Sequence, residues 1–251
     1  MNLIILTDND RVDEHNYVVR DQRAEHIRMI LKLKEGDTLE TGLVNGPIGN
    51  AVVARVTPDE VLMQCSRWTQ AAPPALEIDL ICALPRPQTL KKILITSAMM
   101  GVRSLHLIRA NRVEKSYFQS PLIQPEHQLS FLLEGLSQGK LTRLPLVQVH
   151  DRFRRFFEEE LTLLSDVPSG PPLRLLCSPV TAVTIDSVYV RSTREVTVAV
   201  GPEGGWVPFE VDLMLALGFR SFTLGPWTLR VEHAVTAALA QIELVRAKMT
   251  G

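Results

Sequence analysis

Hydrophobic and polar positions along this chain follow two different rhythms, and the change of rhythm divides it. Up to about residue 70, short β-type runs at 3–6, 38–43, 51–56 and 61–65 alternate with the turn pairs Gly36-Asp37, Asn45-Gly46 and Pro58-Asp59. This pattern predicts a small β-barrel. One helix-like stretch interrupts it at 25–34 and brings Arg28, Lys32 and Lys34 near one another. On composition alone, that stretch reads equally well as a solvated flank and as a nucleic-acid contact.

Beyond the small, proline-rich segment 70–75, the rhythm becomes strand, helix, strand. A strand at 77–84 stops at Pro85-Arg86-Pro87, a helix at 90–100 is closed by Gly101, and 104–108 is a second strand, so the pairing is parallel. The charged run 152–160 predicts a surface helix, and 165–172 a loop, both without chemistry. Three further short strands each run into a turn. Residues 173–177 end at Ser178-Pro179, 196–200 at Gly201-Pro202-Glu203-Gly204-Gly205, and 222–224 at Gly225-Pro226. Between them a helix starts at Pro208, with Glu210 and Asp212 complementing its N-terminal dipole and Gly218 as a left-handed cap. A last helix carries an apolar stripe of Val231, Ala234, Val235, Ala238, Leu239, Ile242 and Val245. The expected class is α/β, and in open α/β sheets ligands sit at the carboxyl ends of such strands.

Composition narrows the picture. The chain has 251 residues, 45% hydrophobic and 22% charged, enough for two domains, with boundaries expected at 1–70 and 75–251. A net charge of −1 advertises no global affinity for nucleic acid. Locally the balance differs: between 86 and 115 seven cations (Arg86, Lys91, Lys92, Arg103, Arg109, Arg112, Lys115) face one acid, Glu114, as a phosphate-contacting surface would. The 3 cysteines, Cys65, Cys82 and Cys177, have neither disulfide nor metal spacing, so no metal is expected and a reduced, cytoplasmic setting is. No signal peptide or membrane span is expected either.

The loop 201–205 places three glycines within five residues and allows close approach of backbone to a ligand. It lacks the G-x-G-x-x-G spacing of dinucleotide binders, and the carboxylate of Glu203 would repel a phosphate held by backbone amides. A neutral or cationic ligand fits better.

Taken together, Gly201-Pro202-Glu203-Gly204-Gly205, the Gly218-Phe219 pair and Leu224-Gly225-Pro226-x-x-Leu229-Arg230-x-Glu232 resemble the methyltransferases that make 3-methyluridine in 16S ribosomal RNA. That resemblance implies a SPOUT fold, a parallel sheet with a trefoil knot, behind an N-terminal PUA-like RNA-binding barrel. It implies S-adenosylmethionine held by Ser178, Pro179, Gly201, Pro202, Glu203, Gly204, Gly205, Leu224, Gly225, Leu229 and Arg230, and a homodimer whose interface draws on the last helix. Ribosomal RNA or the small subunit is the implied partner, met by Arg28, Lys32, Arg86, Lys91, Arg109 and Arg112. Uracil N3 must lose a proton before it can accept a methyl group, so Arg230 is expected to stabilise the anion and Glu232 to orient the loop or Arg230. His233 is an ambiguous neighbour. Thr96, Met99, Ser137, Leu141, Val231 and His233 depart from the family pattern, and Ser178 stands where a histidine is usual. The departures fall on substrate-facing positions, so a divergent relative acting on another RNA site and a non-enzymatic RNA-binding protein stay open beside the leading reading.

Overall fold

In the computed structural model, which describes residues 2–74, 76–164, 172–190 and 195–250, the strands form two sheets. The first comprises β1 (Ile4–Leu6), β2 (Asn16–Val19), β3 (Thr38–Leu43), β4 (Ile48–Val56) and β5 (Val61–Gln70), in the order β1-β3-β4-β5-β2. It curls as a half-barrel with β1 and β2 as its edges, which is the form taken here by the small β-barrel that the strand pattern suggested. A specific contact blocks the β1 edge. The carbonyl of Ile5, on the side of β1 away from β3, accepts from the Arg23 guanidinium at 2.6 Å, and the same guanidinium grips Asp10 at 2.7 Å. The helix expected at 25–34 is shorter and irregular: α1 (Gln22–Glu25) is capped by Asp21 and runs into a single π turn at His26–Ile30. It ends because Lys32 turns left-handed (φ 54°) and the backbone N–H of Lys34 is taken by Asp37.

The second sheet comprises β6 (Ile78–Ala83), β7 (Ser104–Ile108), β8 (Leu146–His150), β9 (Leu173–Cys177), β10 (Val196–Val200) and β11 (Arg220–Phe222). Its order is β11-β9-β10-β6-β7-β8 and every pair is parallel. Helices α2 (Pro87–Met99), α3 (Pro125–Gly139), α4 (Phe153–Arg155), α5 (Ile185–Val188), α6 (Pro208–Ala216) and α7 (Val231–Thr250) connect and cover the strands. Because both faces are covered, β6 and β10 are buried at every position and read as unbroken apolar runs. On one face α2, α3 and α7 bury Leu80, Leu105, Val198 and Phe222; on the other Phe156, Phe157, Met214 and Phe219 cover Ile81, Ile108 and Ala199.

Two expectations about helices change here. The stretch 152–160 is no surface helix without a task, since α4 continues into a π turn that drives Phe156 and Phe157, both 0% exposed, into the core. The loop expected at 165–172 lies outside the described residues except for Pro172. The stripe on α7 is already used within this chain: Val235, Ala238, Leu239 and Ile242 are fully buried against its own sheet and helices, which removes them from any interface. No helix among the described residues is long and apolar enough to cross a membrane.

Helices α2 and α3 lie unusually close together. A Cβ added at Gly135 or Gly139 would run into the backbone carbonyls of Ile95 and Met99, so only glycine permits this approach. The next residue ends α3 as a left-handed cap, Lys140 at φ 53°. On its other side α3 is tied to β1, where Leu3 N–H donates to the Ser137 carbonyl at 3.1 Å and the Ser137 hydroxyl to the Leu3 carbonyl at 2.7 Å.

The sheet interior also holds polar groups that alternation alone would not place there. Arg103 bridges Asp79 (2.5 Å) and Glu195 (2.9 Å), joining β7 to β6 and to the start of β10. From Asp79 a chain of hydrogen bonds continues through Ser104 (2.5 Å), His106 (2.8 Å) and His150 (3.1 Å) to Glu160 (2.8 Å). Burial, with the neighbouring His150 adding to it, pulls His106 down to about 4, whereas a free imidazole titrates at about 6.5. His150 is lowered as well, again by burial and against the pull of Glu160.

A group depressed in the folded state binds its proton more readily after unfolding. The stability that neutral His106 contributes is therefore complete above about pH 6.5 and is lost as pH falls towards 4. Unfolding free energies from urea titrations should drop across that window, by up to about 1.4 kcal/mol per pH unit from this group. His106→Gln should show the shallower dependence. Equal slopes in variant and parent would remove His106 from the account.

Candidate active site

Parallel register brings three strand ends to one edge. Val200 lies opposite Cys82, and Phe222 opposite Cys177, so β9, β10 and β11 finish together and release their loops on the same side. The third strand ends two residues earlier than its sequence pattern suggests, at Phe222. The reason is local: the Thr223 hydroxyl bonds the Gly225 carbonyl (3.0 Å) and N–H (3.1 Å), and Gly225 takes φ 129°, which closes a turn where the strand would have continued. That turn frees Leu224 to face the space between the loops.

The space is a cavity of about 540 Å³. Ser178, Pro179, Gly201, Pro202, Glu203, Gly204, Gly205, Leu224, Gly225, Leu229 and Arg230, the positions expected to hold a cofactor, all line it. Sequence reading passed over Trp206 and Trp227, which line it too. The available signal was position, because each tryptophan follows a glycine loop at once. They also explain two of the glycines. A Cβ on Gly201 would stand 3.0 Å from the Trp206 indole nitrogen, and one on Gly225 would stand 2.5 Å from the Trp227 ring. Close approach is needed here by the protein's own rings before any ligand arrives. Behind the loops, burial raises the Cys82 and Cys177 thiols well above their ordinary range, so they are neutral and apolar.

The chamber suits an organic ligand held largely by backbone. The walls are apolar and aromatic and the loops expose main chain, while the buried indole N–H of Trp206 has no partner among the described residues. A second cavity of about 370 Å³ adjoins it, lined by Arg86, Thr89, Glu114, Tyr117 and Glu232. Arg112, Glu203, Arg230 and Val231 line both cavities and so form their common wall.

Around this wall the basic residues separate into different roles. Arg112, which is exposed, donates to the Gly204 carbonyl and clamps the glycine loop. Arg103 is spent inside on Asp79 and Glu195. Lys92 binds Glu232 at 3.0 Å. Arg86 faces the second cavity, Lys91 sits over the Phe131 ring and Arg109 over the Phe118 ring. Arg28 and Lys32 lie on the first sheet's π turn and just beyond it, with Lys32 exposed.

The acids change roles as well. Glu232, expected to orient the loop or Arg230, is 6% exposed and pairs with Lys92. Burial alone would raise its carboxyl, but its own backbone N–H and the Lys92 ammonium outweigh that and hold it below the usual range. It is therefore a poor proton acceptor. Glu210 is more than a dipole partner: it is 2% exposed, accepts from Val207 N–H (3.0 Å) as a cap, and reaches Asn111 N–H (2.6 Å) to tie α6 to the loop after β7. His233 is exposed and lines neither cavity. The described residues contain no group of three or more His, Cys, Asp or Glu that could hold a metal ion.

Comparison with known proteins gives a consistent result. The chain is 31% identical over 245 residues to a ribosomal RNA small subunit methyltransferase E of Treponema pallidum, covering 96% of this chain and 90% of that one. The namesake protein of Synechocystis sp. is 24% identical over 93% of this chain and 74% of its own length. In three dimensions, ribosomal RNA small subunit methyltransferase E of Neisseria gonorrhoeae, solved with S-adenosyl methionine bound, superposes with a TM-score of 0.73 at 17% identity, covering 97% and 98% of the two chains. The description of an RNA methyltransferase domain matches residues 72–243, which takes in the whole parallel sheet and both cavities, and the chain belongs to that family.

Proposed function

We propose that this chain transfers the methyl group of S-adenosylmethionine to N3 of a uridine in small-subunit ribosomal RNA. The observation that carries the proposal is the wall shared by the two cavities, because a donor in the larger and a base in the smaller would meet across Arg112, Glu203 and Arg230. Bound there, the cofactor supplies an electrophilic methyl group on a cationic sulfur. The backbone of 201–205 and 224–229, the Trp206 indole and the turn at Ser178-Pro179 would hold it. Arg230, with Arg112 beside it, stabilises the negative charge on a uracil that has lost its N3 proton. Glu232 acts at one remove: locked by Lys92, it fixes the first turn of α7, where the Arg230 carbonyl accepts from His233 (3.0 Å) and Ala234 (2.9 Å).

The same reading assigns residues 1–70 to holding RNA through Arg28 and Lys32, and residues 75–251 to the chemistry, with Arg86, Lys91 and Arg109 on the RNA backbone near the site. A trefoil knot is part of it, supported by the bonds from Thr223 N–H to the Val183 carbonyl and from Ser178 N–H to the Phe222 carbonyl, which tie the end of β11 to the loop after β9. So is a homodimer in the cytoplasm, where the RNA is. Val180 and Trp227, on the rim of the larger cavity, are 93% and 67% exposed, and a second copy would cover them.

Deleting the gene should remove 3-methyluridine from small-subunit ribosomal RNA in mass-spectrometric nucleoside maps; an unchanged map rules out this substrate. Gly204→Val should abolish calorimetric binding of S-adenosylmethionine, because the added side chain would press on the Arg112 stem 3.1 Å away and fill the cavity. Retained affinity would displace the donor from this loop. Arg230→Ala should leave RNA affinity nearly intact but slow single-turnover methylation by about a hundredfold or more. By contrast, neutralising Lys91, Arg109 and Lys32 together should weaken RNA binding and flatten its salt dependence by roughly 0.7–0.9 for each phosphate no longer neutralised, with donor binding unaffected. A parental salt slope in that triple variant would make the cluster an ordinary solvated face.

A further inference from the structure

From the cavity junction we infer that Glu203 is the proton acceptor for the substrate base; this rests on the uridine N3 reading and deepens it. Four residues line both cavities, and of these Arg112 and Arg230 are permanent cations and Val231 has nothing to titrate. Glu203 is the one group at the junction that can take a proton. The other acids of the smaller cavity are placed less well. Glu232 is consumed by Lys92, and Glu114 borders only the smaller cavity, away from the donor. Glu203 itself is exposed, and it makes no ion pair among the described residues despite two arginines sharing its wall. Its charge nevertheless reaches both sides. Burial first, then Glu114 and Glu203, push the Tyr117 phenol up across the smaller cavity, and Glu203 adds to the rise of Cys82 behind the larger one.

The step balances with groups already named. The N3–H proton passes to a carboxylate oxygen of Glu203, the electron pair left on N3 takes the methyl carbon, and the pair of the broken carbon–sulfur bond stays on sulfur. Arg112 and Arg230 hold the uracil oxygens, where the charge resides while the proton is away. Solvent at the open rim then takes the proton from Glu203. A glutamate in a loop built like a phosphate cradle is otherwise out of place. Here it faces a cationic donor and an acidic N–H.

Two readouts test this without leaning on the same property. In the absence of donor, the parent protein should bind an RNA hairpin carrying uridine at least tenfold more tightly than one carrying 3-methyluridine, which has no N3–H to donate, and Glu203→Ala should lose that preference. With saturating donor, Glu203→Gln should lower single-turnover methylation by about a hundredfold or more near pH 7. Its rate should then climb about tenfold per pH unit as N3 ionises unaided, while the parent stays flat. Parallel pH profiles, or a base preference that survives Glu203→Ala, overturn the assignment. If the parent methylates no uridine at all, the proposed function has failed instead, and the two failures are distinguishable. Retained donor binding in Glu203→Gln shows that the loop has kept its shape; Glu203→Asp should restore part of the rate, and a rate no higher than that of Glu203→Gln would also count against the role.

Discussion

Everything at the site depends on one constraint: six strands pair in parallel and in register, so all of them point their carboxyl ends at one edge. Antiparallel pairing would have sent alternate loops to opposite sides. With β10 held between β6 and β9, the loops after β9, β10 and β11 emerge as neighbours although more than forty residues separate the first from the last. The clasp of Arg103 on Asp79 and Glu195 fastens that register from the opposite end of the strands, where no ligand would go. A partly exposed cation is thereby used to keep two nearly buried carboxylates satisfied, an arrangement that is costly to break by removing one partner.

The strands of this sheet were legible because they are buried on both faces, and continuous apolar runs such as Val196–Val200 have few other readings. Glycine and proline marked the loops correctly, and the cavity gathers every residue that those loops suggested. What escaped was decided by contacts distant in sequence. Glu232 reads as a neighbour of Arg230, yet its partner Lys92 lies 140 residues away. The cover over the half-barrel's β1 edge depends on Arg23 reaching the Ile5 carbonyl, which no period reveals. Histidines at 106 and 150 look like scattered polar residues until β7 and β8 are laid side by side and Ile108, just along the strand from His106, pairs with His150. The early end of β11 was hidden for a different reason, since a threonine hydroxyl there competes with the sheet for the backbone.

Charge shows the same lesson at larger scale. A total of −1 looks uninformative, and the cluster from 86 to 115 looks uniformly basic. Folding sorts that cluster into a structural clasp (Arg103), a clamp on the glycine loop (Arg112), a lock on α7 (Lys92), a wall of the smaller cavity (Arg86) and two side chains over aromatic rings (Lys91 and Arg109). Local sequence charge therefore overstates what is free to meet a polyanion, and the sign of the field at the cavities is set by Arg86, Arg112 and Arg230 against Glu114 and Glu203.

The glycine contact between α2 and α3 gives the molecule something like a calliper. One jaw is the first sheet, pinned to α3 through Leu3 and Ser137; the other is the first half of α2, which brings Arg86 and Thr89 to the smaller cavity and Lys92 to Glu232. Gly135 and Gly139 leave no play between the two helices, because backbone meets backbone with no side chain to compress. The gap between the jaws is thus a fixed length and not an adjustable one. Anything that engages the first sheet and the smaller cavity together must span that length, so recognition across the two is partly a matter of measurement and not only of chemistry.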